Sequence, residues 1–396
     1  MFASCYSCWP HAEVGAETLH LTTPVRYPPI QANEYFSNNL APNAISLSVQ
    51  NIYGNDVNLP YVSIKICEPG TTQCQTISNI LLDTGSTGLR VLSSTLGTLQ
   101  LTPQTYGDAP VVECATFISG VTWGPVKAAD IKMSSELAST IPIQVIADPN
   151  YLTTPTGCSN GLPSLQSTST LKANGILGIG LLISDGQSYY ACPSNQTSNC
   201  VAITLAASSQ VQNPVAAFAI NNNGVVMQLP GISTSGAGTT TGSLYFGIDT
   251  QSNNSSNGAS IIPTNSSGLF VTEFNGVNYR QSFIDSGSNG LFFPAGNQAA
   301  TLKTCTYSIG FYCPATTQSY VATVPLQNFM TGTINFSIAN ADALVSTGNT
   351  AFSNLGGILE NRFDWGLPFF YGKSVYFGIT GRASNNAVGP YYAYIN

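Results

Sequence analysis

The stretch Leu81-Leu-Asp-Thr-Gly-Ser-Thr-Gly-Leu89 is repeated in the second half of the chain as Phe283-Ile-Asp-Ser-Gly-Ser-Asn-Gly-Leu291. In both copies two apolar residues precede the aspartate, a glycine lies two positions after it, and a Gly-Leu pair ends the motif. A single Asp-Thr-Gly or Asp-Ser-Gly is common in turns, but two copies in matching register indicate an internal duplication. The sequence therefore predicts two related lobes that contribute one aspartate each, Asp83 and Asp285.

A second, shorter motif follows each aspartate motif. Gly175-Ile-Leu-Gly178 lies after the first, and Asp364-Trp-Gly366 lies after the second. The chain of 396 residues is also longer than the roughly 250 to 300 residues at which a single hydrophobic core stops growing. Both observations favour two lobes.

Composition suggests where the lobes begin and end. The clearest polar gap in the chain covers residues 231–241, and the start of the chain mixes Pro, aromatic and polar residues without a period. We therefore predict an N-terminal arm at 1–43, an N-terminal lobe at 44–245 that carries the first aspartate loop and a flap hairpin, and a C-terminal lobe at 246–396 that carries the second aspartate loop.

The chain after the arm has the alternation that is typical of β-strands. Apolar and polar residues alternate in Tyr61-Val-Ser-Ile-Lys-Ile66, and Gly, Pro, Asn and Ser interrupt such runs about every ten residues. Helices are expected to be few and short, with 211–220 and 294–302 as the better candidates. The predicted fold class is all-β.

Low charge excludes several classes of partner. Only 7% of the residues are charged, and 11 Lys plus Arg in a chain of net charge −7 form no basic stripe that could neutralise phosphates or an anionic membrane. No run reaches the roughly 18 apolar residues that a membrane-spanning helix needs. We expect no nucleic-acid partner and no membrane span. The N-terminus lacks the features of a signal peptide, so any export signal is expected to be removed or outside this chain.

Ten cysteines indicate an oxidising compartment, so the protein is expected to be secreted, periplasmic or on the cell surface. Three pairs are close in sequence: Cys67 with Cys74, Cys192 with Cys200, and Cys305 with Cys313. For the other four, the favoured pairs are Cys5 with Cys8 and Cys114 with Cys158. Sequence alone does not choose among the many other connectivities.

The residues around each aspartate suit a paired-carboxylate site. Glycine at 85 and 287 permits a tight turn after a buried strand. The short hydroxyl donors of the two motifs can orient a carboxylate and tune its pKa; they are Thr84, Ser86, Ser286 and Ser288. If the two loops meet, Asp83 and Asp285 would share one proton, because like charges about 3 Å apart cannot both be ionised.

Such a pair can activate water for attack on an amide and protonate the leaving nitrogen, without a metal or cofactor. The only two histidines, His11 and His20, lie in the predicted arm. The rest of the chain therefore has no histidine from which to build a Ser-His-Asp or Cys-His mechanism or a His-rich zinc site. The competing interpretation of the two motifs is a pair of duplicated structural turns.

These motifs resemble the pepsin family of aspartic proteases. The resemblance covers about residues 46–380, and includes the strand Gly242-Ser-Leu-Tyr-Phe-Gly-Ile-Asp249, which is similar to the one that closes the family's first lobe. The chain looks closer still to a bacterial group of pepsin homologues catalogued as a domain of unknown function. Runs that carry this second resemblance are Asn213-Pro-Val, Asn222-Asn-Gly and Gly366-Leu-Pro-Phe-Phe370.

The resemblance implies a bilobal double-barrel fold with an active-site cleft between the duplicated lobes. It implies that Thr84 and Ser286 form a crossed hydroxyl network under the dyad, and that 114–124 is a flap hairpin with Gly120 at its tip. Phe117 stands where the family usually has a tyrosine, with Trp123 nearby, and both are candidates for substrate binding. The alternative for these aromatic residues is cross-strand packing.

The function expected from these observations is a secreted aspartic endopeptidase that acts at acidic pH on a polypeptide substrate as a monomer. Two alternatives stay open. One is a non-catalytic protein of the same fold that binds peptide or glycan at the cell surface. The other is a surface adhesion or structural module, which the low charge and the Asn, Ser and Thr content suggest.

Overall fold

The computed structural model of the protein describes residues 40–54, 56–193 and 199–396. The predicted pair Cys5–Cys8 and both histidines lie outside the described residues, as does the predicted arm except for its last four positions. The described residues are mainly β-strand with few and short helices, so the predicted all-β fold class is confirmed.

The strands of the described chain are numbered in sequence order. The first twelve are β1 (Ala44–Val49), β2 (Pro60–Cys67), β3 (Cys74–Asp83), β4 (Thr87–Leu92), β5 (Thr102–Pro103), β6 (Thr105–Tyr106), β7 (Ala109–Phe117), β8 (Gly120–Met133), β9 (Glu136–Ile146), β10 (Gly175–Ile179), β11 (Ser188–Ala191) and β12 (Val201–Ile203). The remainder are β13 (Gly224–Leu229), β14 (Thr240–Phe246), β15 (Ser260–Pro263), β16 (Phe270–Phe274), β17 (Val277–Ile284), β18 (Leu291–Phe293), β19 (Gln318–Leu326), β20 (Met330–Ile338), β21 (Gly356–Ile358), β22 (Asp364–Trp365), β23 (Lys373–Gly378) and β24 (Tyr391–Ile395).

The helices of the described residues are short, with at most six residues each. The α-helices of the described residues are α1 (Thr156–Ser159), α2 (Thr168–Leu171) and α3 (Ala341–Ser346). The two segments predicted as helices contain 3-10 turns instead, at Pro214–Ala217 and Gly296–Gln298. The first begins with the side chain of Asn213 accepting from the backbone of Val215 and ends because Phe218 is extended.

The strands form two sheets, one drawn mainly from the first half of the chain and one from the second, and the predicted two-lobed architecture is confirmed. The second sheet has the order β20-β19-β16-β17-β22-β18-β21. In the first sheet, an antiparallel path runs β2-β1-β14-β13-β23-β24-β15. The last strands of the chain therefore pair with strands of the first half, which joins the two halves through backbone hydrogen bonds.

The predicted lobe boundary between residues 245 and 246 lies at the end of β14, within this shared path. The division of the chain into 1–43, 44–245 and 246–396 stays a prediction.

One hydrophobic cluster extends through both halves of the molecule. Leu82 and Ile284, the residues directly before the two aspartates, are both buried in this cluster. Burying a large aliphatic side chain stabilises a fold by about 1.5 to 3 kcal/mol. The two aspartate loops are therefore anchored to a common core.

Asn58 links the halves at the second aspartate loop. Its side-chain amide donates to the carbonyl oxygens of Asn289 and Phe352, both at 2.9 Å. Its side-chain oxygen accepts from the backbone of Phe352 and from the hydroxyl of Tyr371, both at 2.8 Å. Asn58 is fully buried and has a φ of 54°, a left-handed conformation that asparagine tolerates better than most residues.

Four of the predicted disulfides are confirmed: Cys67–Cys74, Cys114–Cys158, Cys192–Cys200 and Cys305–Cys313. Such bonds are typical of proteins outside the reducing cytosol.

Among the described residues, no helix has the length and apolar character needed to cross a membrane.

Candidate active site

The first aspartate loop is built from three strands. β3 ends at Asp83, β4 leaves the loop, and β10 passes between them, parallel to β3 and antiparallel to β4. Gly178 lies beside Asp83 in this register. A Cβ at Gly178 would lie 2.7 Å from Oγ of Ser86, so only glycine allows the strand to pass this close beneath the loop.

The second aspartate loop repeats this arrangement. β17 leads to Asp285, β18 leaves the loop, and β22 runs parallel to β17 and antiparallel to β18. A Cβ at Gly366 would lie 2.1 Å from the carbonyl oxygen of Gly290. The two short motifs that follow the aspartate motifs in sequence therefore form equivalent strands beneath them.

The residues after the two aspartates hold the loops together. The backbone N–H of Ser286 donates to Oγ1 of Thr84 at 2.8 Å, and the backbone N–H of Thr84 donates to Oγ of Ser286 at 3.1 Å. The hydroxyl of Ser286 donates onward to the carbonyl of Leu82 at 2.7 Å. The structure thus contains a reciprocal network between Thr84 and Ser286, with every group buried.

The two carboxyl groups lie side by side. The backbone N–H of Gly85 lies within hydrogen-bonding distance of both, 2.9 Å from Oδ1 of Asp83 and 3.0 Å from Oδ1 of Asp285. The N–H of Gly287 donates to the same oxygen of Asp285 at 2.7 Å. We call these two Oδ1 atoms the inner oxygens, because both face the shared donor of Gly85.

Glycine is required at both loop tips. A Cβ at Gly85 would lie 2.4 Å from Cγ of Asp285, and a Cβ at Gly287 would lie 2.7 Å from Oδ1 of Asp83. Each carboxyl group therefore packs against the glycine of the other loop. Any side chain at either glycine would push the carboxyl groups apart.

A hydroxyl contacts the outer oxygen of each carboxyl group. Ser86 donates to Oδ2 of Asp83 at 2.6 Å, and Ser288 lies 3.0 Å from Oδ2 of Asp285. All six residues predicted to support the dyad are thus within the two loops that meet here; they are Thr84, Gly85, Ser86, Ser286, Gly287 and Ser288. Their catalytic role and that of the aspartates stay a prediction.

Burial dominates the electrostatics of the site. Asp83 and Asp285 are both 0% exposed. Burial, followed by the nearby charge of Asp83, raises the pKa of Asp285 well above its usual value. The pair is therefore able to retain a proton at pH values where an exposed aspartate has lost it.

Sequence reasoning missed Asp364, a third buried carboxyl group. Its Oδ2 lies 2.6 Å from the hydroxyl of Ser288. Burial raises the pKa of Asp364 well above its usual value, while the hydrogen bond with Ser288 and, more weakly, the charge of Arg362 oppose this effect. The signal was present in the repeat, because alignment of Gly178 with Gly366 places Asp364 opposite an isoleucine in the first copy.

Comparison with known proteins identifies the family. The family described as "Protein of unknown function (DUF3443)" matches residues 39–394. The chain belongs to the DUF3443 family. No curated protein sequence matches it significantly. Its fold is similar to the crystal structure of aspartic proteinase from Irpex lacteus, with 14% sequence identity, a TM-score of 0.48, and coverage of 89% of this chain and 96% of that chain.

The hairpin predicted at 114–124 is present in this DUF3443 protein as the turn end of the longer hairpin β7–β8, and its role as a flap stays a prediction. Gly120 lies at the turn, where a Cβ would meet the carbonyl oxygen of Pro163 at 2.4 Å. Phe117 is 2% exposed and packs in a cluster with Tyr61 and Leu165.

Trp123 is also buried. It is 0% exposed and packs edge-on against Tyr190, with ring centroids 5.4 Å apart, beside the disulfide Cys114–Cys158. These contacts are those of a packed core. A contact of Phe117, Gly120 or Trp123 with substrate stays a prediction.

A buried ion cluster ties the hairpin to the first aspartate loop. Arg90 on β4 contacts Glu113 on β7 at 2.5 Å and Asp185 at 2.6 Å, and all three side chains are at most 2% exposed. Burial raises the pKa of Glu113 well above its usual value, and the charge of Arg90 opposes this effect. The base of the hairpin is therefore fixed to the strand that follows Asp83.

The described residues of this DUF3443 protein offer one group with the spacing of metal ligands, Cys305, Cys313 and Asp342. The two sulfur atoms of this group are joined in a disulfide. A metal-binding thiolate is therefore not available there.

Proposed function

We propose that this DUF3443 protein is a pepsin-like aspartic endopeptidase, a hydrolase that cleaves peptide bonds with water activated by Asp83 and Asp285. One observation carries the proposal: the single N–H of Gly85 lies within 3.0 Å of an oxygen of each buried carboxyl group. Two buried carboxyl groups held this close cannot both be ionised, so they share one proton over the active pH range.

The shared proton gives the pair one base and one acid. The ionised group takes a proton from water, whose oxygen bonds to the peptide carbonyl carbon, while the protonated group donates to the carbonyl oxygen. One hydroxyl of the tetrahedral intermediate then returns a proton to the pair. As the C–N bond breaks, the leaving nitrogen takes a proton from the pair, which again holds one. These steps need no metal ion or cofactor.

The proposed substrate is an extended polypeptide that lies across the two aspartate loops and under the hairpin β7–β8. Extended peptides add to exposed strand edges through backbone hydrogen bonds. With Phe117 in place of a tyrosine, the hairpin lacks a phenol that could hold the water and substrate. We therefore propose slower turnover than in enzymes that have this phenol.

The four disulfides support a site of action outside the cytosol, where thiols are oxidised. We propose that the protein acts as a secreted, periplasmic or cell-surface monomer of bacterial origin. Acidic pH is the proposed working range, because the pair must hold a proton for catalysis.

The test is incubation of an unfolded protein substrate with the native chain and with Asp83→Asn and Asp285→Asn between about pH 3 and pH 7. The amide isosteres keep the shape of the site but cannot share a proton. We expect cleavage by the native chain only, with circular dichroism showing that all three proteins are folded. Equal cleavage by either variant would rule out the dyad.

A non-catalytic protein of the same fold that binds peptide or glycan is the second candidate. It is favoured by the 0% exposure of both carboxyl groups and by phenylalanine at 117. Calorimetry with an extended peptide separates the two functions: binding by the native chain without cleavage at any pH supports the second. A peptide with a statine-type hydroxyl, which imitates the tetrahedral intermediate, should bind tighter than substrate only if the protein is an enzyme.

A further inference from the structure

Asp364 breaks the symmetry between the two aspartate loops. In the first loop, β10 places Ile176 beside Leu81, and in the second, β22 places Asp364 beside Phe283, the equivalent position. An apolar residue in one half is therefore replaced by a carboxyl group in the other. Asp364 is 0% exposed, so this replacement puts a polar group into the core directly beneath the second loop.

The hydroxyl of Ser288 lies between two carboxyl groups. Its Oγ is 2.6 Å from Oδ2 of Asp364 and 3.0 Å from Oδ2 of Asp285. A hydroxyl has one hydrogen to donate, and an ionised carboxylate can only accept. For both contacts to be hydrogen bonds, one of the two carboxyl groups must carry a proton and donate it to Ser288.

The donors around each group decide which one carries this proton. Asp285 receives the backbone N–H groups of Gly85 and Gly287, and such donors favour the ionised form. Oδ1 of Asp364 has no hydrogen-bond partner among the described residues. A buried charge with an unpartnered oxygen is costly, and the neutral form avoids that cost.

The negative and titratable groups that act on Asp364 also favour its neutral form. Asp83 and Asp285 face it from the two loops, and Tyr392 interacts with it from β24. The cation among them is Arg362, whose effect is the smallest of those acting on Asp364. A neutral Asp364 adds no third negative charge to the pair.

We infer that Asp364 is a neutral carboxylic acid that donates to Ser288, so that Ser288 in turn donates to the outer oxygen of Asp285. This relay makes the outer oxygen of Asp285 an acceptor, as the N–H groups of Gly85 and Gly287 already make the inner oxygen, so all three donors favour the ionised form of Asp285. Asp364 is thus a positioning residue: it acts on the dyad through Ser288 and does not touch substrate. Its consequence for catalysis rests on the proposed function.

The first experiment compares the pH dependence of kcat/KM in Asp364→Asn and Asp364→Ala. The asparagine amide can still donate to Ser288. The acidic limb of the pH profile of kcat/KM should therefore stay at the same pH as in the native protein. Alanine removes the donor that orients Ser288 toward ionised Asp285, and the acidic limb should move upward by about one pH unit. An equal displacement in both variants, or none in either, would contradict the relay.

Ser288→Ala covers the case in which Asp364→Ala does not fold. It removes the relay but leaves Asp364 in place, and it should displace the acidic limb in the same direction. Because the two residues act in series, the double variant should show no further displacement. Additive displacements would show that Asp364 acts by another route.

A second experiment does not depend on activity. The free energy of unfolding in urea is measured for the native chain and Asp364→Asn, with disulfides intact, from about pH 4 to pH 8. A group whose pKa is raised by folding contributes stability at low pH that is lost as the pH rises. The native chain should therefore lose stability relative to Asp364→Asn with rising pH, and a constant difference would overturn the inference.

The two experiments separate the inference from the proposed function. If no cleavage is found but the stability difference grows with pH, the neutral acid stands and the endopeptidase proposal fails. If cleavage is found and the stability difference stays constant, the endopeptidase stands and the relay fails.

Discussion

At the scale of single residues, Gly85 fixes the distance between the two carboxyl groups. Its N–H contacts both inner oxygens, and its missing Cβ leaves the space that Asp285 occupies. The same residue therefore brings the charges together and prevents a side chain from separating them. The proposed catalysis, in which both carboxyl groups act on one water molecule, depends on this spacing.

Gly85→Ala should lower kcat/KM for peptide cleavage by at least about 100-fold, because displacement of a catalytic group by about 1 Å has an effect of this size. The measurement is steady-state cleavage of a peptide substrate at acid pH. Gly157→Ala is the matched control, since a Cβ there meets nothing within 4 Å. Comparable activity in the two variants would contradict the role given to Gly85.

Some of the important residues could be identified from the sequence, and others could not. Asp83 and Asp285 were predictable because a repeated nine-residue motif is rare by chance. Asp364 was missed because its motif was interpreted through Trp365 and Gly366, and because an aspartate in a buried strand becomes notable only when its partner, Ser288, is located in space. Asn58 has no sequence signal, since its four hydrogen bonds go to groups distant in the chain.

At the scale of elements, the hairpin β7–β8 is held at its base by charge and at its turn by packing. Arg90 contacts Glu113 and Asp185 in the interior, and its guanidinium lies 5.7 Å from the ring centroid of Phe117. Removal of one member of a buried ion cluster leaves the others uncompensated. The stability of the hairpin should therefore depend on Arg90.

Arg90→Met should lower the free energy of unfolding by about 3 kcal/mol near neutral pH. The loss should shrink at acid pH, because protonation of the raised-pKa carboxyl of Glu113 removes the uncompensated charge. Urea unfolding at about pH 3 and pH 7 measures both values. Arg280→Met, which removes an exposed arginine, is the control; an equal loss there, or a loss that grows at acid pH, would contradict this account.

The sequence predicted the hairpin correctly but did not predict the helices correctly. The hairpin was found because glycine and alternating residues mark it, although β7 and β8 extend beyond 114–124 on both sides. The segments 211–220 and 294–302 were expected to be helical. They form only single 3-10 turns. The first of these ends at Phe218, which is extended and packs in the core against Phe246.

At the scale of the whole molecule, disulfides of very different span constrain the chain. Cys114 and Cys158 are 44 residues apart, whereas Cys67 and Cys74 are 7 apart. A cross-link that closes a longer loop restricts the unfolded chain more strongly. Three short-range pairs were evident from sequence, while the long-range pair was one preference among many connectivities.

Replacement of both Cys114 and Cys158 by serine should lower the free energy of unfolding by about 4 kcal/mol, and the same replacement of Cys67 and Cys74 by about 2.5 kcal/mol. Urea unfolding of the two double variants against the native chain measures the difference. The shorter bridge is the matched control for loss of a cystine. A larger loss at the shorter bridge would contradict the loop-length explanation.

The shared path β2-β1-β14-β13-β23-β24-β15 has a consequence for the rate of folding. It joins β1, Ala44–Val49, and β24, Tyr391–Ile395, in one continuous sheet, with β24 between β23 and β15. Pairing segments that are so far apart in sequence has a high cost in loop-closure entropy, and proteins rich in such pairings fold slowly. The sheet that unites the two halves is therefore expected to form late, after the local hairpins.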